Sequence, residues 1–559
     1  MTELFLPLIV LGLAACARPI APDGGLKDST PPKVVPESST PNLSTNFTAR
    51  SFELTFDEWV TLQDVGAQVL VSPPLAKRPE VTLKGRTVTF KFDAEEVLRP
   101  NTTYTVNFGT AVKDLHESNP AQDLRFVFST GDAIDSLTVS GLVVDAFSGE
   151  LLENITVMLY DIFEDSVVSK ERPYYMARTD KSGQYRIQNV RAGTFKCVAI
   201  DDKLPGLKWD ADERIGFPDS LIVVSDSLPA LPANRLFTPQ PPMRLLPPNT
   251  GTYGLVKLPY TRSPDSIRLT PELPGLRWVR EQEQDTLLLW YDSPESTAWS
   301  LLAGADTVSV PALSRERFLS TNKVQWGDER SAAPSARAKR INTAQPATAA
   351  PPPRTIIVNA SRPVQLPFNN PVAQIDTTRC LLIADSVETR QFDIRPDSAK
   401  PREMLLDIPW NPESKYELYL LPGALTDFYG TANSDTLRRN FNVPADKQLG
   451  ALSLSLEDLQ PGQTYVLRLM SSNTAVEQER SFRADSTVVK FRFEKLQPIA
   501  FTLQLVEDRN GNGRWDPGDY YARRQPEQVF IRKLEALRAN WEVEAILQAK
   551  TGAGKRGKE

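Results

Sequence analysis

The chain has very little of what most catalytic sites require. Its 559 residues include a single histidine, His116. An HExxH zinc site needs two histidines, and a nucleophile-histidine triad needs one that stands beside its partners. His116 lies in a turn-forming stretch beside Glu117 and Asn119, so we interpret it as a solvated loop residue. The sequence therefore gives no support to histidine-dependent chemistry.

Cysteine is also scarce, with three in the whole chain. Three cysteines do not make a disulfide framework. Cys197 and Cys380 stand in short apolar stretches, which predicts that both are small buried side chains in strands. Cys16 has a different setting, described below.

Excess positive charge and long apolar runs are missing as well. The formal net charge is -6 and the sequence pI is about 5.4, which argues against a nucleic-acid partner or a polybasic membrane surface. The apolar run from Leu4 to Leu13 spans about ten residues, too few to cross a bilayer.

Helical periodicity is rare, whereas short runs of alternating apolar and polar residues recur. Phe52, Leu54 and Phe56 form one such run, and a period of two places them on one face of a strand. The 28 glycines and 46 prolines often fall between these runs, where turns are needed. A chain of this length is too long to fold around a single hydrophobic core, so we predict an all-β protein of about four or five linked domains.

The N-terminal stretch ends in Leu13-Ala14-Ala15-Cys16, which resembles the bacterial lipobox. The resemblance implies that residues 1–16 are a lipoprotein signal peptide with its lipobox cysteine, and that Cys16 is acylated. Each buried CH₂ of the acyl chains would add about 0.8 kcal/mol of membrane affinity. Met1-Thr2-Glu3 lacks the usual Lys or Arg, and a plain cleaved secretory signal is the alternative.

Residues 17–41 are rich in Pro, Ser, Thr and Gly, which predicts a flexible tether. The stretches Gly24 to Pro32, Glu53 to Glu58, Pro100 to Tyr104 and Phe128 to Gly131 are similar to those of Bacteroidota lipoproteins with SbsA-type (Big_5-like) immunoglobulin-like domains. The resemblance implies a β-sandwich, an Ig-like domain, over residues 42–132. Its motifs are structural and imply a fold more than an activity.

A second module is predicted over residues 137–225. Its stretches Val139 to Asp145, Thr179 to Ile187 and Val190 to Phe195 resemble the carboxypeptidase regulatory-like, transthyretin-type sandwich. That family is a companion domain without peptidase machinery, so the resemblance does not support catalysis.

A third β segment is expected over residues 236–313, followed by an Ala- and Pro-rich linker over residues 331–354. The linker has four basic residues that we interpret as part of a solvated spacer, contact with anionic lipid or glycan being the alternative. They are Arg337, Lys339, Arg340 and Arg354.

After the linker the first half of the chain repeats. Leu366 and Phe368 follow Leu54 and Phe56 by 312 positions, and Trp515 follows Trp209 by 306. Near-constant offsets predict a duplicated arrangement of the two kinds of sandwich. The predicted parts are a degenerate second Ig-like domain over 355–444, a second regulatory-like module over 449–547 and a disordered tail over 548–559. Residues 527–547 are ambiguous, because Leu534, Leu537 and Trp541 fit a helix whereas Leu537, Ala539, Trp541 and Val543 fit a strand. We predict a strand.

One stretch in the last module has the pattern of a calcium-binding loop. Oxygen-bearing residues recur at the spacing of such loops, with a glycine where a sharp turn is needed. The predicted ligands are Asp508, Asn510, Asn512, the carbonyl of Arg514, Asp516 and Asp519. The alternative is an Asn-Gly-rich turn that needs no metal. The first-half counterpart keeps Asp202, Asp210 and Glu213, and we predict that it is metal-free.

A second pattern concerns modification. Asp followed by Ser or Thr and then by an apolar residue or Thr occurs thirteen times, against roughly two expected from average composition. It resembles the O-glycosylation acceptor motif of Bacteroidota periplasmic proteins, which marks Ser136, Ser220, Thr286 and Thr436 as examples. The alternative is that Asp-Ser pairs form turns ahead of strands.

The sequence thus predicts a non-catalytic, lipid-anchored envelope protein with a structural or interaction role and no required cofactor, calcium aside. No Asp follows Cys16 directly, so we expect the outer membrane, facing the periplasm rather than the cell surface. The partner is an unknown envelope protein or glycan. A glycan-binding lipoprotein is the alternative, and it needs exposed aromatic residues, whereas most of the nine tryptophans stand in predicted strands. An enzyme using Asp57 with Glu58 or Asp114 has the weakest support.

Overall fold

The computed structural model describes residues 28–203, 206–264, 266–328, 355–360, 362–472 and 475–550. In these residues strands predominate and the α-helices are single short turns, which confirms the all-β prediction. The chain divides into two compact units, Met1–Val144 with Leu151–Leu236, and Asp145–Glu150 with Phe237–Glu559. The predicted signal peptide with Cys16 and the predicted linker over 331–354 lie outside the described residues.

The first sandwich is built around phenylalanine. Phe52 stacks on Phe126 at 3.8 Å between ring centroids and on Phe90 at 4.8 Å. Alternation places these rings between sheets ordered β1-β5-β4 and β3-β6-β8, with β2 paired to β7. The elements are β1 (Ser51–Thr55), β2 (Val60–Leu62), α1 (Val65–Gln68), β3 (Leu70–Ser72), β4 (Glu80–Lys84), β5 (Thr87–Lys91), β6 (Thr103–Asn107), β7 (Val112–Asp114) and β8 (Arg125–Ser129).

The predicted tether over 17–41 is wrong for its described part. Residues 28–41 lie along β1, where the Val35 N–H donates to the Thr55 carbonyl at 2.7 Å and the Thr40 N–H to the Glu53 carbonyl at 2.8 Å. Val34 also bridges Phe56. Composition suggested flexibility, but a Pro-rich segment can pair with a strand edge wherever its remaining N–H groups face that edge. The first sandwich therefore begins before residue 42.

The second sandwich extends to Leu236, which corrects the predicted end at 225. Leu236 is fully buried in the core of this module, and its strand pairs with β9. The third module consequently begins at Phe237 rather than at 236. The elements of the second sandwich are β9 (Leu137–Asp145), β10 (Thr156–Tyr160), α2 (Val167–Lys170), β11 (Tyr175–Arg178), β12 (Gln184–Val190), β13 (Gly193–Ile200), β14 (Ile215–Gly216), β15 (Ile222–Val224) and β16 (Asn234–Leu236).

The third module is a small two-sheet sandwich with sheets ordered β17-β18-β21-β20 and β19-β22-β23. Thr286–Asp292 is its most buried strand. Its elements are β17 (Asn249–Thr252), β18 (Leu255–Pro259), β19 (Leu269–Pro271), β20 (Arg277–Glu283), β21 (Thr286–Asp292), β22 (Trp299–Ala303), β23 (Asp306–Val310) and α3 (Arg315–Leu319).

The fourth sandwich corrects the interpretation of 331–354 as a linker between domains. Residues on both sides of that segment belong to the same core, which contains Val324, Trp326 and Val358. Trp326 bridges Phe368, as Val34 bridges Phe56 in the first sandwich. The Ala- and Pro-rich segment is therefore an insertion within one domain. Composition alone cannot distinguish an insertion from a linker, because both are polar segments without a core of their own.

The elements of the fourth sandwich are β24 (Thr355–Ile357), β25 (Val364–Pro367), β26 (Val372–Ile375), β27 (Cys380–Ala384), β28 (Val387–Thr389), β29 (Asp393–Pro396), β30 (Glu403–Asp407), β31 (Lys415–Leu420), β32 (Leu425–Asp427) and β33 (Leu437–Asn442). Those of the fifth are β34 (Gly450–Glu457), β35 (Thr464–Met470), β36 (Val476–Arg483), β37 (Val489–Leu496), β38 (Thr502–Asp508), β39 (Val529–Lys533) and β40 (Glu542–Gln548). A strand, β40, does form near the C-terminus, but Leu537, Ala539 and Trp541, on which the predicted strand was based, lie before it.

The duplication is confirmed by the order of the strands, although β15 and β28 have no counterpart among the described strands of the other copy. Sheets ordered β11-β10-β13-β14 and β12-β9-β16 in the second sandwich recur as β36-β35-β38-β39 and β37-β34-β40 in the fifth. In the first and fourth sandwiches, Val60 pairs with Asp114 and Val372 with Asp427. The parallel bridge of Ser44 to Phe128 likewise recurs as Ile356 to Phe441.

Three sandwiches share a tyrosine corner, in which a tyrosine hydroxyl accepts a backbone N–H five residues upstream. Tyr104 accepts from Arg99 at 2.8 Å, Tyr416 from Asn411 at 2.9 Å and Tyr465 from Gln460 at 3.0 Å. The bond fixes the chain where it turns into the strand, which explains why a proline-containing turn precedes each of these tyrosines.

Candidate functional site

The turn after β38 contains the predicted calcium ligands, and its centre is Asp508. The side chain of Asp508 is buried and accepts three backbone N–H groups of its own loop. Gly511 and Asn512 donate to Oδ1 at 2.7 and 3.1 Å, and Gly513 donates to Oδ2 at 2.9 Å. The glycine-rich sequence fits this curl, because Gly511 and Gly513 both have positive φ. Asp508 therefore acts as the acceptor that closes the turn.

The amide side chains of the same loop bind Asp516. Nδ2 of Asn510 and Nδ2 of Asn512 both donate to Oδ2 of Asp516, at 2.5 and 2.9 Å. Their Oδ1 atoms accept the N–H groups of Asn512 and Arg514. The side-chain oxygens of Asn510 and Asn512 and Oδ2 of Asp516 therefore accept hydrogen bonds from within the loop.

Glu527 is the residue that the sequence prediction missed. Its carboxylate is buried and accepts the N–H of Arg509 at 2.8 Å and that of Asp516 at 3.0 Å. The indole Nε1–H of Trp515 donates to the Glu527 carbonyl at 3.0 Å. Burial, assisted by the charges of Asp516 and Asp508, raises the pKa of Glu527 above its ordinary value although both N–H bonds act against the shift.

The contacts of Glu527, which we call the glutamate clasp, also occur in the second sandwich. Glu213 accepts the N–H of Lys203 at 2.9 Å and that of Asp210 at 3.1 Å, and the Trp209 indole donates to the Glu213 carbonyl at 3.1 Å. Each contact has its equivalent at Glu527. The duplication therefore preserves a turn that is closed by a glutamate and a tryptophan.

This equivalence corrects the assignment of Asp519. Constant spacing had matched Glu213 to Asp519, whereas the structure matches it to Glu527. Asp519 lies in a separate turn, where its Oδ1 accepts the Ala522 N–H at 3.0 Å and its N–H donates to the Arg524 carbonyl. The second copy contains additional residues between Trp515 and its glutamate, and an offset taken before an insertion fails after it.

The loop does not fit calcium as a ready-made cage. The carboxylate oxygens of Asp508 and Glu527 already accept backbone N–H groups, and Asp519 takes no part. No group of three or more acidic, histidine or cysteine side chains in the described part of the chain is arranged to hold a metal ion. The geometry favours the metal-free turn, which was the alternative interpretation.

The four named acceptor residues of the modification motif lie in accessible positions. Ser136, Ser220 and Thr436 are exposed, and Thr286, the first residue of β21, is half-buried. These positions are compatible with modification and also with the simpler role of Asp-Ser and Asp-Thr pairs as turns ahead of strands.

The remaining sequence candidates for chemistry have structural roles. His116 is exposed in a turn. Asp114 is buried and accepts the backbone N–H groups of residues 116 to 119. Burial alone would raise the pKa of Asp114, but these N–H groups outweigh it and hold the pKa below its ordinary value. Glu58 has a raised pKa from desolvation and from the charges of Asp114 and Asp57.

The buried cysteines are as predicted. Cys197 and Cys380 are free thiols in the cores of their sandwiches. Burial raises the pKa of Cys197 to about 12 and that of Cys380 to about 11, so neither is a thiolate at neutral pH.

The tryptophans are mostly core residues, as predicted, with three exceptions. Trp59 and Trp541 are each 60% exposed and Trp278 is 41% exposed. They lie in the first, fifth and third sandwiches respectively.

Comparison with known proteins defines the first sandwich. Residues 28–130 match the model of the Big_5 family, described as a bacterial Ig-like domain. The match starts at residue 28, in agreement with the segment that lies along β1. No curated protein matches the chain in sequence.

Solved structures that resemble the whole chain do so only distantly. The Bacillus anthracis TIE protein is 9% identical, with 94% of this chain and 76% of that chain covered and a TM-score of 0.12. A Bacteroides ovatus protein, SGBP-B of a mixed-linkage glucan utilization locus, is 9% identical, with 62% and 82% covered and a TM-score of 0.15. The major pilin BcpA of Bacillus cereus is 10% identical, with 74% and 99% covered and a TM-score of 0.13. TM-scores this low carry no argument about function.

Among the residues that the structure describes, none of the helices has the length and apolar character that crossing a bilayer requires.

Proposed function

We propose that the chain is a non-catalytic, lipid-anchored envelope protein whose tandem sandwiches have a structural or interaction role. The observation that supports this most directly is the use of buried carboxylates. Six of the eight buried carboxylates in the described part of the chain bind backbone N–H groups and so hold the fold. The residues with this role are Glu96, Asp114, Glu213, Asp427, Asp508 and Glu527. The other two, Asp292 and Glu507, pair with Arg315 and Arg509.

The anchor rests on Cys16, whose lipobox resemblance and preceding apolar run support acylation. We place the protein in the outer membrane, facing the periplasm, in a bacterium of the Bacteroidota, because the first motifs resemble lipoproteins of that group. The resemblance of the second and fifth sandwiches to regulatory-like modules is part of the same proposal. No cofactor is required, and calcium is a separate hypothesis that is tested below.

The experiment is fractionation and cross-linking of the native envelope with wild-type protein and a Cys16→Ala variant. The proposal expects the wild type in the outer-membrane fraction, cross-linked to one envelope partner, and the variant released with that cross-link lost. A wild-type protein found in the cytosol with residues 1–15 intact would contradict it.

Glycan binding is the second candidate function. The exposed indoles of Trp59, Trp278 and Trp541 favour it, because a sugar ring packs on an accessible aromatic face. Glycan arrays with wild type and with Trp59→Ala test it, and binding that is lost in the variant would support this candidate.

A further inference from the structure

The fifth sandwich has a cavity of about 400 Å³ where the edge strands of its two sheets, β36 and β37, face each other. Among the described strands, β36 pairs only with β35 and β37 only with β34, so each of the two sheets ends here. The cavity opens between these two edge strands, and it has the size of a small-molecule pocket.

Most of the charged side chains that line this cavity have an ion-pair partner among the described residues, but one does not. Arg492 pairs with Glu494 at 3.4 Å, and Glu479 pairs with Arg468 at 2.6 Å. Arg362, which reaches the cavity from the fourth sandwich, contacts Glu477 at 3.6 Å. Arg480 has no ion pair or hydrogen bond to a described residue through its guanidinium, so one positive charge in the lining is uncompensated.

Aromatic rings fix the position of that charge. The guanidinium carbon of Arg480 lies 5.0 Å from the ring centroid of Phe493 and 5.5 Å from that of Phe491. A guanidinium held against aromatic faces keeps its N–H edges available for a carboxylate, and it loses less side-chain entropy on binding than a free arginine. Gln478 lies two residues earlier on β36, hence on the same face, and its amide has no hydrogen-bond partner in the described part of the chain.

We propose that this cavity binds a carboxylated sugar unit, such as a uronic acid of an acidic glycan. The carboxylate would accept two hydrogen bonds from Arg480, and ring hydroxyls would bind the Gln478 amide and the carboxylates of Glu479 and Glu494. The lining offers donors and acceptors in a small space, as a hydroxylated ring requires. The proposal rests on the glycan-binding alternative and is independent of the Cys16 anchor.

The test is isothermal titration of the full chain carrying Cys16→Ser with three probes. They are α-1,4-linked trigalacturonic acid, the neutral trisaccharide maltotriose and triglutamate. We expect binding of trigalacturonic acid only, and a loss of at least about tenfold in affinity in Arg480→Ala, equivalent to about 1.4 kcal/mol.

The matched control is Arg538→Ala. Arg538 is also exposed and stacks on an aromatic ring of the same sandwich, Trp541, at 5.6 Å, and it does not line the cavity. This variant removes the same charge and should bind as the wild type does. Arg480→Gln keeps a long side chain over Phe493, so the same loss in this variant excludes an effect on folding.

Five results would overturn the proposal. Four are no binding of trigalacturonic acid, equal binding by Arg480→Ala, equal loss in Arg538→Ala, or triglutamate binding as tightly as the sugar. The fifth is maltotriose binding that is unaffected in Arg480→Ala, which would still support a glycan site elsewhere in the chain. None of the five would bear on the lipid anchor.

Discussion

Single carboxylates determine the turns of this protein. Glu213 and Glu527 each accept two backbone N–H groups from a loop and present their own carbonyl to a tryptophan indole. A buried N–H without an acceptor is costly, so one side chain fixes the conformation of a loop that has little apolar packing of its own.

Replacing Glu527 with alanine should destabilise the fifth sandwich. The N–H groups of Arg509 and Asp516 lose their acceptor, at a cost of roughly 1–3 kcal/mol. Amide hydrogen exchange is the measurement, and it should accelerate at those two amides. Glu213→Ala is the matched variant and should act on Lys203 and Asp210 instead. Unchanged exchange at either pair would show that the glutamate clasp does not hold its turn.

Asp114 should make the first sandwich sensitive to acid. Its folded pKa lies below the ordinary value of 3.8 because backbone N–H groups stabilise the carboxylate. Such a group contributes stability above its unfolded pKa and loses it as pH falls through the folded pKa. We expect amides 116 to 119 to lose protection below about pH 4, relative to amides of β6. In Asp114→Asn this protection should be weaker at neutral pH and should not change further with acid.

At the scale of elements, the loop after β38 illustrates how a sequence motif and its geometry can diverge. Its spacing fits a calcium loop, but Asp508 and Glu527 already bind backbone N–H groups and the Asn510 and Asn512 amides bind Asp516. A cation would have to share these oxygens with the N–H groups that they already accept. The loop is therefore closed by hydrogen bonds of its own.

We accordingly expect millimolar calcium to leave the melting temperature and the exchange of amides 508 to 516 unchanged. Asp508→Asn should increase that exchange with or without calcium, because it weakens the acceptor of three N–H groups. A calcium-dependent rise in melting temperature, absent in Asp508→Asn, would contradict this and restore calcium as a ligand.

The sequence predicted the elements better than their limits. Alternation located β1, because one face of that strand is buried and the period of two is visible. The placement of residues 28–41 against β1 and the insertion at 331–354 were missed, because Pro-rich and Ala-rich composition does not reveal what the flanking residues pack against. Glu527 was missed because its spacing from Trp515 differs from that of Glu213 from Trp209.

A glycine of the third sandwich, Gly254, packs closely against the fourth. Gly254 has a φ of +85°, its carbonyl accepts the Tyr429 hydroxyl at 2.6 Å, and a Cβ there would lie 2.7 Å from that hydroxyl. Leu288, Trp290 and Phe428 complete this small core with Tyr429.

Gly254→Ala should therefore lower the free energy of unfolding by more than the strain of an alanine at positive φ would. An L-residue at positive φ costs roughly 1–3 kcal/mol, and the clash with Tyr429 adds to it. Gly275→Ala is the control, because Gly275 also has positive φ, +72°, but open space around it. Thermal unfolding of both variants should show a larger decrease for Gly254→Ala. Equal decreases would mean that Tyr429 moves aside at no cost.

At the scale of the whole molecule, the modification motif is distributed over all five sandwiches. Of its thirteen hydroxyl residues, eleven are exposed and two, Ser166 and Thr286, are half-buried. A turn motif and an acceptor motif both require exposure, so location does not separate them. The two interpretations differ in the protein mass that they predict, because a glycan adds mass to the polypeptide and a turn does not.

If the motif is an acceptor site, protein purified from its native host should be heavier than its polypeptide together with any acyl chains that the proposed anchor adds. Substituting Ser136, Ser220, Thr286 and Thr436 by alanine in one variant should remove part of that excess in discrete steps. Ser309→Ala is the control, because Ser309 is exposed but follows Val308 instead of an aspartate. Intact mass spectrometry reads the result directly. If no such excess mass is found, the Asp-Ser and Asp-Thr pairs are turns only, and their hydroxyls are exposed because they stand ahead of strands.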